Sequence, residues 1–430
     1  MLRNWKQTVG WDLTSAERGA WLRWLLAAFS FWLLVATRPL WLNCGEFPQV
    51  PLFAWGCVVP RLVDLCLLVV MAGSTIAIVS TNSASRSNRA CLWMFAITLT
   101  GLLLLDQHRS QPWAYQFVLV AVVLAAAPHP LAISLLRVLT ISIYLHSALS
   151  KIDYSFCTGL GHRLLLEFSS QFCGPSPAGD QPGPTGAWPL LFPIGELLVA
   201  VGLIWPVSRR CAMWCAAGMH LLLLILLGPW GLGHSAGVLI WNGYFIAQNF
   251  ILFGCTPNTV NRPTTDPVLI QRTIPSQWVA VLLIGWSVLW PSLEPWGYCD
   301  LWPAWGLYAQ HGEQLTVWIT DRGKQRLPAI WQESATRKLN VSNRPGDWSL
   351  HPQQVSLKSV AAPLYPQNRF QLGVILNLFT GAGIEPEDVS AIWYFPANRW
   401  TGARRSIQLT SLPELQKMAD RCWLNARSRD

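Results

Sequence analysis

Over the first two thirds of the chain, apolar residues come in long blocks, and no block shows a polar face repeating at helical spacing. A helix of about 20 such residues crosses the hydrocarbon core of a bilayer. The blocks fall at 20–38, 57–79, 90–105, 113–128, 131–150, 187–206, 211–228, 235–254 and 276–291. The third, fourth and last are short, so the pattern predicts nine spans, or eight. Residues 1–19 are polar, and Thr14-Ser15-Ala16-Glu17 reads as a capping box opening the first helix. No cleavable signal sequence is expected there. Beyond residue 291 the pattern changes. Leu315–Thr320 and Val389–Phe395 alternate like strands, and Pro366–Phe379 has a helical period. Ser411-Leu412-Pro413-Glu414 reads as a second capping box, opening a helix to about Leu424. The expected fold is an α-helical polytopic membrane protein of about nine transmembrane helices, with a small C-terminal α+β extramembrane domain. The boundaries are 1–19 (polar, inside), 20–291 (transmembrane) and 292–430 (outside).

Composition agrees with this pattern. Apolar residues make up 52% of the chain and charged residues only 12%, where a soluble domain carries about 25% charged. Disorder, collagen, a coiled coil and an ordinary cytosolic enzyme are excluded. The net charge of +9 is spread over the chain, with no basic run longer than Arg209-Arg210 or Arg404-Arg405, so nucleic acid is not an expected partner. Instead the basic residues set orientation. With the N-terminus inside, the inner segments hold Arg3, Lys6, Arg18, Arg86, Arg89, Arg209, Arg210, Arg262 and Arg272. The outer loops hold only Arg38, Arg109, Lys151 and Arg163. That bias places residues 292–430 outside a plasma (inner) membrane, in a periplasm or lumen.

Many of the 26 tryptophans sit where a block meets its loop, among them Trp41, Trp55, Trp113, Trp188, Trp205, Trp230 and Trp290, as in an interfacial belt. The eleven cysteines include no CxxC pair, so zinc-ribbon metal sites are not expected. Cys157 and Cys173 share the outer loop 151–186 and are a candidate disulfide, with two packed thiols as the alternative. Cys299 and Cys422 form a weaker candidate pair.

Ionisable residues inside apolar blocks are functional candidates. The fifth block ends Tyr144-Leu145-His146-Ser147-Ala148-Leu149-Ser150-Lys151-Ile152-Asp153. Helical spacing puts Tyr144 and Lys151 on one stripe, with His146, Ser150 and Asp153 on a neighbouring one. Lys151 is either a snorkelling lysine at a helix end or a partly buried base. Arg137 and Glu196 are also intramembrane, but they lie at opposite depths, which argues against a direct pair. Arg61 and Asp64, three residues apart, are expected to pair locally. His220 is mid-block, either a hydrogen-bonded core residue or a ligand. His234 lies in the turn at 228–235, and Asn242 follows two turns later, where a buried amide can join helices or bind a polar ligand.

Arg137, then the run from Tyr144 to Asp153, then Gly159, resembles the Arg…Tyr-x-x-Ala-Gly-x-x-Lys-Leu-Asp…Gly signature of the vitamin K-dependent gamma-carboxylase-like, or HTTM, membrane family. Pro193-Ile194-Gly195-Glu196, Pro206, Arg209-Arg210 and Met219-His220 are similar to its next helix pair. The likeness covers roughly residues 20–255. It implies a quinone, vitamin K-like cofactor, Lys151 as the base that deprotonates the hydroquinone, and an extracytoplasmic protein substrate. This chain has Ser147-Ala148 where the family has Ala-Gly. Residues 292–430 have no counterpart to the large β-rich domain of the animal carboxylases. The stretch from Glu196 to Arg210 also resembles the DoxX/MauE redox-associated membrane proteins. That implies a non-catalytic quinone-binding or thiol-redox helper. A transporter is the third reading, and the chain lacks the duplicated halves it would bring.

Overall fold

The computed structural model describes residues 13–42, 47–82, 85–172, 186–254, 275–337 and 348–429. Among them, seven helices are long and apolar enough to cross a membrane: Ser15–Ala36, Arg61–Ser80, Arg86–Leu105, His129–Lys151, Arg209–Leu227, Ala236–Phe253 and Pro275–Trp296, the last ending in a 3-10 stretch. The chain is a multi-span membrane protein. The other two expected spans fall on shorter apolar helices, Pro112–Ala126 and Trp188–Ile204. The first of these explains its own sequence. Thirteen of its fifteen residues are buried, so it runs through the middle of the bundle and needs no polar face.

The helix ends follow local chemistry. Thr14 Oγ1 accepts the Glu17 N–H at 3.2 Å, and Glu17 accepts the Thr14 N–H at 2.7 Å, closing the expected capping box. The 129–151 helix begins behind Pro128, carries Pro130 in its first turn and ends on the basic Lys151. Contacts between ends set the alternation. A Cβ on Gly19 would meet His129, and Ser276 bonds the Ala126 carbonyl at 3.2 Å; both contacts lie at one end of the bundle. Arg109, between the 86–105 and 112–126 helices, bonds the carbonyls of Leu40 and Trp41 at the other end.

The sheet domain sits on that second end. Its antiparallel strands β1 (Gln314–Ile319), β2 (Thr336–Arg337), β3 (Trp348–Leu350), β4 (Val389–Tyr394) and β5 (Ser406–Leu409) lie in the order β2-β3-β1-β4-β5. Val317 faces Leu350 on one side and Ala391 on the other. β4 is buried almost throughout. Helices Asn368–Gly381 and Leu412–Asp420 pack onto the sheet. Ser411 makes no side-chain cap. Glu414 reaches one residue further back and accepts both the N–H and the hydroxyl of Thr410, at 2.7 and 3.2 Å. The helix stops at Asp420, short of the expected Leu424.

One hydrophobic core runs from the bundle into the sheet domain, joining residues such as Leu26, Phe117 and Trp41 to Phe370 and Val389. Two tryptophans expected in the interfacial belt belong to this core: Trp41 and Trp113 are 2% and 4% exposed, with their rings 5.7 Å apart. Trp55, Trp188, Trp205 and Trp230 are exposed. The expected Arg61–Asp64 pair is also corrected. Asp64 is instead shared by Arg109 and Arg429, both buried and both distant in sequence. A buried carboxylate takes the best-desolvated cations that reach it, and Arg61 lies on the exposed side of its helix.

Candidate functional site: a cavity beneath the sheet domain

Where the bundle meets the sheet domain lies a cavity of about 310 Å³. Tyr144, Ser147 and Lys151 line it from the 129–151 helix, at spacings of three and four that put them on one face. Glu196, His220 and Asn242 line it from three further helices, and His234 from the turn before the last of these. Six of the residues singled out in the sequence therefore meet at one cavity.

Two polar groupings face the space, at different depths. Nearer the sheet domain, Lys151 Nζ is 2.6 Å from Glu196 Oε2 and donates to Ser147 Oγ at 2.7 Å. Lys151 is buried, at 8% exposure. It neither snorkels into water nor pairs with Asp153. The two side chains thus present an ion pair to the cavity. About 10 Å deeper along the helix, the Tyr144 hydroxyl is 2.7 Å from His220 Nε2, and His220 Nδ1 is 2.8 Å from Asn242 Oδ1. Asn242 donates its Nδ2 to the Val238 carbonyl at 2.9 Å, which turns its Oδ1 toward the histidine. His220 then carries its proton on Nδ1 and accepts from Tyr144 on Nε2. Asn249 donates to the Tyr144 oxygen at 2.6 Å. This is a neutral chain with its phenol at the cavity wall, and the Asn249 Oδ1 is its one buried atom without a partner among the described residues.

Three other expected residues are placed elsewhere or in different roles. His146 is not among the residues lining the cavity; it lies within reach of the Val288 carbonyl, at 2.9 Å. It is two positions from Tyr144, about 200° around the helix, so the two cannot share a wall. Asp153 is a joint: its Oδ1 accepts the Phe156 N–H at 2.6 Å, and its Oδ2 lies 3.1 Å from His311 Nδ1. Arg137 donates to the Leu252 carbonyl at 2.7 Å and makes no pair with Glu196. Cys157 is half-buried, and Cys173 lies outside the described residues. Cys299 and Cys422 are not bonded: their thiols lie against the Asp300 and Met418 carbonyls, both at 3.5 Å.

The cavity's roof was not legible in the sequence. Trp302, Leu307, Tyr308 and Pro363 come from the chain after the last long apolar helix, and Gln111 and Trp113 from the start of the central helix. Tyr308 has a left-handed backbone, φ 63°, unusual for a bulky residue. Its hydroxyl is buried without a partner. Burial pushes that phenol well above its ordinary pKa, so it remains a donor. His234, whose ring lies edge-on to Tyr308 at 5.6 Å, accepts the Ser235 N–H on Nδ1, and burial holds its pKa below the usual histidine value. The dense Trp and Pro of 290–309 were the only trace of this roof in the chain.

Outside the cavity, His311 pins the roof to the bundle. Its ring nitrogens face Asp153 at 3.1 Å and Glu294 at 3.0 Å. Burial opposes its charge, but hydrogen bonds to the two carboxylates outweigh it and push the pKa up to about 9. Among the described residues, no group of three or more His, Cys, Asp or Glu side chains is arranged to hold a metal ion. No family model, no curated protein and no solved structure matches this chain.

Proposed function

We propose that the protein is a nine-span membrane protein of the HTTM type whose outer cavity binds a quinone-class ligand, with the Lys151–Glu196 pair as its proton-handling group. The observation that carries this reading is that an ion pair and an orphan buried phenol, Tyr308, open on one largely apolar cavity. A binding site for a small amphipathic molecule has that make-up: mostly apolar walls and a few convergent polar groups. A quinone offers two carbonyl acceptors on an apolar ring, and Lys151, Tyr308 and the His234 Nε2–H are donors at the wall. In the enzyme reading, a hydroquinone O–H passes its proton to the Lys151–Glu196 pair, with Glu196 the acceptor while the lysine stays charged. The sequence resemblance gave the base role to Lys151 alone. An extracytoplasmic protein substrate would then meet the cavity from the sheet-domain side. The second reading is a non-catalytic quinone-binding or redox helper of the DoxX/MauE type. The neutral Tyr144–His220–Asn242 chain favours it, since it is arranged for binding and has no charge to move.

Trp113, Trp241 and Trp302 line the cavity, so a bound quinone should quench intrinsic fluorescence. Saturable quenching by a short-chain naphthoquinone, weakened in Lys151→Met and in Tyr308→Phe, is the expected result. No quenching, together with no quinone in lipid extracts of the purified protein, would overturn the proposal. Oxygen uptake with the reduced naphthoquinone separates the two readings. Acceleration that is lost in Glu196→Gln selects the enzyme, and binding without acceleration selects the helper. The topology has its own test. A Trp423→Cys thiol, at a position 88% exposed, should react with an impermeant maleimide on intact cells. Reaction only after lysis would place the sheet domain inside.

A further inference from the structure

Away from that cavity, the C-terminal end of the chain runs back onto the bundle. The Asn425 N–H donates to the Leu52 carbonyl at 3.2 Å, and the Arg429 N–H to the Gln49 carbonyl at 2.9 Å. The Arg429 side chain, 1% exposed, uses Nη2 for Asp64. Its Nε and Nη1 are buried and have no partner. Gln49, 5% exposed, has neither amide atom partnered. Unmade donors on a buried guanidinium are rare in folded proteins, because each has lost its water without replacement.

Both side chains face a polar cavity of about 550 Å³ between the start of the 61–80 helix and the sheet domain. Its charged lining residues are Arg61, Arg326 and Arg429, all cations. Arg326 is engaged with Glu385 at 3.1 Å and with the Gly383 carbonyl at 2.6 Å, which leaves Arg429, Gln49 and Arg61 to meet a ligand. A smaller hollow of about 130 Å³ also has Gln49 and Arg61 in its wall, with Leu65 and Leu68 of the same helix and Asp64, whose carboxylate is paired with both Arg109 and Arg429. Leu65, one turn into this long apolar helix, is 52% exposed on the bundle surface.

We infer that this junction is a binding site for the phosphate of an anionic phospholipid. The phosphate oxygens accept from Arg429 Nε and Nη1, Gln49 Nε2 and Arg61, and one acyl chain lies along Leu65 and Leu68. A phosphate is acceptor-only and anionic, matching a wall of donors and cations. The Gln49 Oε1 suits a headgroup hydroxyl. Soluble phosphate presents the same oxyanion, and the Leu65 and Leu68 side chains of the neighbouring hollow, which shares Gln49 and Arg61 with the polar cavity, favour the lipid.

The test uses the full chain in a neutral detergent, followed by thermal unfolding with added lipid. Phosphatidylglycerol should raise the midpoint saturably and phosphatidylcholine should not, because its choline meets the arginines. Arg61→Gln and Gln49→Leu leave the Asp64–Arg429 pair in place. Each should weaken the apparent affinity for phosphatidylglycerol about tenfold, as expected for one lost hydrogen bond to a charged group. If inorganic phosphate alone reproduces the shift and the lipid adds nothing, the occupant is a soluble anion and the lipid assignment fails. If phosphatidylglycerol acts equally on the wild type and both variants, or phosphatidylcholine matches it, the site itself is overturned.

Discussion

Two buried charge clusters flank the junction between bundle and sheet domain, and they differ in what they face. In the Arg109–Asp64–Arg429 cluster, Arg109 is fully buried and spends its donors on Asp64 and two backbone carbonyls. Asp64 lies 45 residues from Arg109 and 365 from Arg429, so the cluster ties the chain's C-terminal end to a bundle helix and a loop. Arg429, the cluster's other cation, faces the polar cavity beside the 61–80 helix, and the Lys151–Glu196 pair, of similar charge and burial, opens on the cavity beneath the sheet domain. Burial of charge alone therefore does not mark a functional site in this molecule. The space beside the charge separates Arg109, a clamp, from the candidate sites beside Arg429 and Lys151.

The largest expected effect tests the clamp. Arg109→Leu leaves Asp106 without its cation and Asp64 with Arg429 alone, and such a break in a buried cluster costs about 3–5 kcal/mol. Loss of the folded protein in detergent, or early proteolysis of the sheet domain, is the expected outcome. A variant as stable as the wild type would remove the clamp from the comparison.

The next effect is carried by His311, the joint between the two regions. Its pKa of about 9 in the folded protein exceeds the ~6.5 of a free histidine, so protonation favours the folded state. The stabilisation is fully present below about pH 6.5 and is lost as pH rises through about 9; a shift of this size amounts to roughly 3 kcal/mol. Unfolding midpoints should fall between pH 7 and pH 9.5 in the wild type and stay flatter in His311→Gln. A fall of the same size in both would show that another group titrates.

The same truncation at the cavity should cost less than at the clamp. Lys151→Met leaves Glu196 beside a space that water can fill, and about 1–2 kcal/mol is expected rather than the clamp's larger value. Adding Glu196→Gln should return most of that stability while naphthoquinone quenching stays weak. Equal costs for Arg109→Leu and Lys151→Met would dissolve the contrast between clamp and site.

The smallest effect concerns the neutral chain. Tyr144→Phe removes a donor to His220 and an acceptor from Asn249, and about 1–2 kcal/mol is expected from the groups left unpaired. Because it moves no charge, its quenching curve should shift less than that of Lys151→Met. A larger shift would make Tyr144 the main ligand contact.

Local patterns read well along this chain. The Thr14–Glu17 capping box, the strands near 315 and 389 and the helix near 368 fall within a few residues of where alternation and period put them, since each depends on neighbours in sequence. The seven long apolar helices were legible for the same reason: length and composition decide them. The 144–151 stripe was legible too, as helical spacing alone puts Tyr144 and Lys151 on one face. What faces that stripe is a long-range matter. Glu196 as partner of Lys151, Tyr308 and Trp302 as roof, Arg429 on Asp64, and Trp41 and Trp113 in the core all join residues that no periodicity relates. A side chain's partner is settled by which helices and loops pack together, and that follows from burying the whole core at once. Local propensity and span hydropathy determined the elements; only the packing of the sheet domain onto the bundle made a cavity, roofed it, and chose which buried charges would look into it.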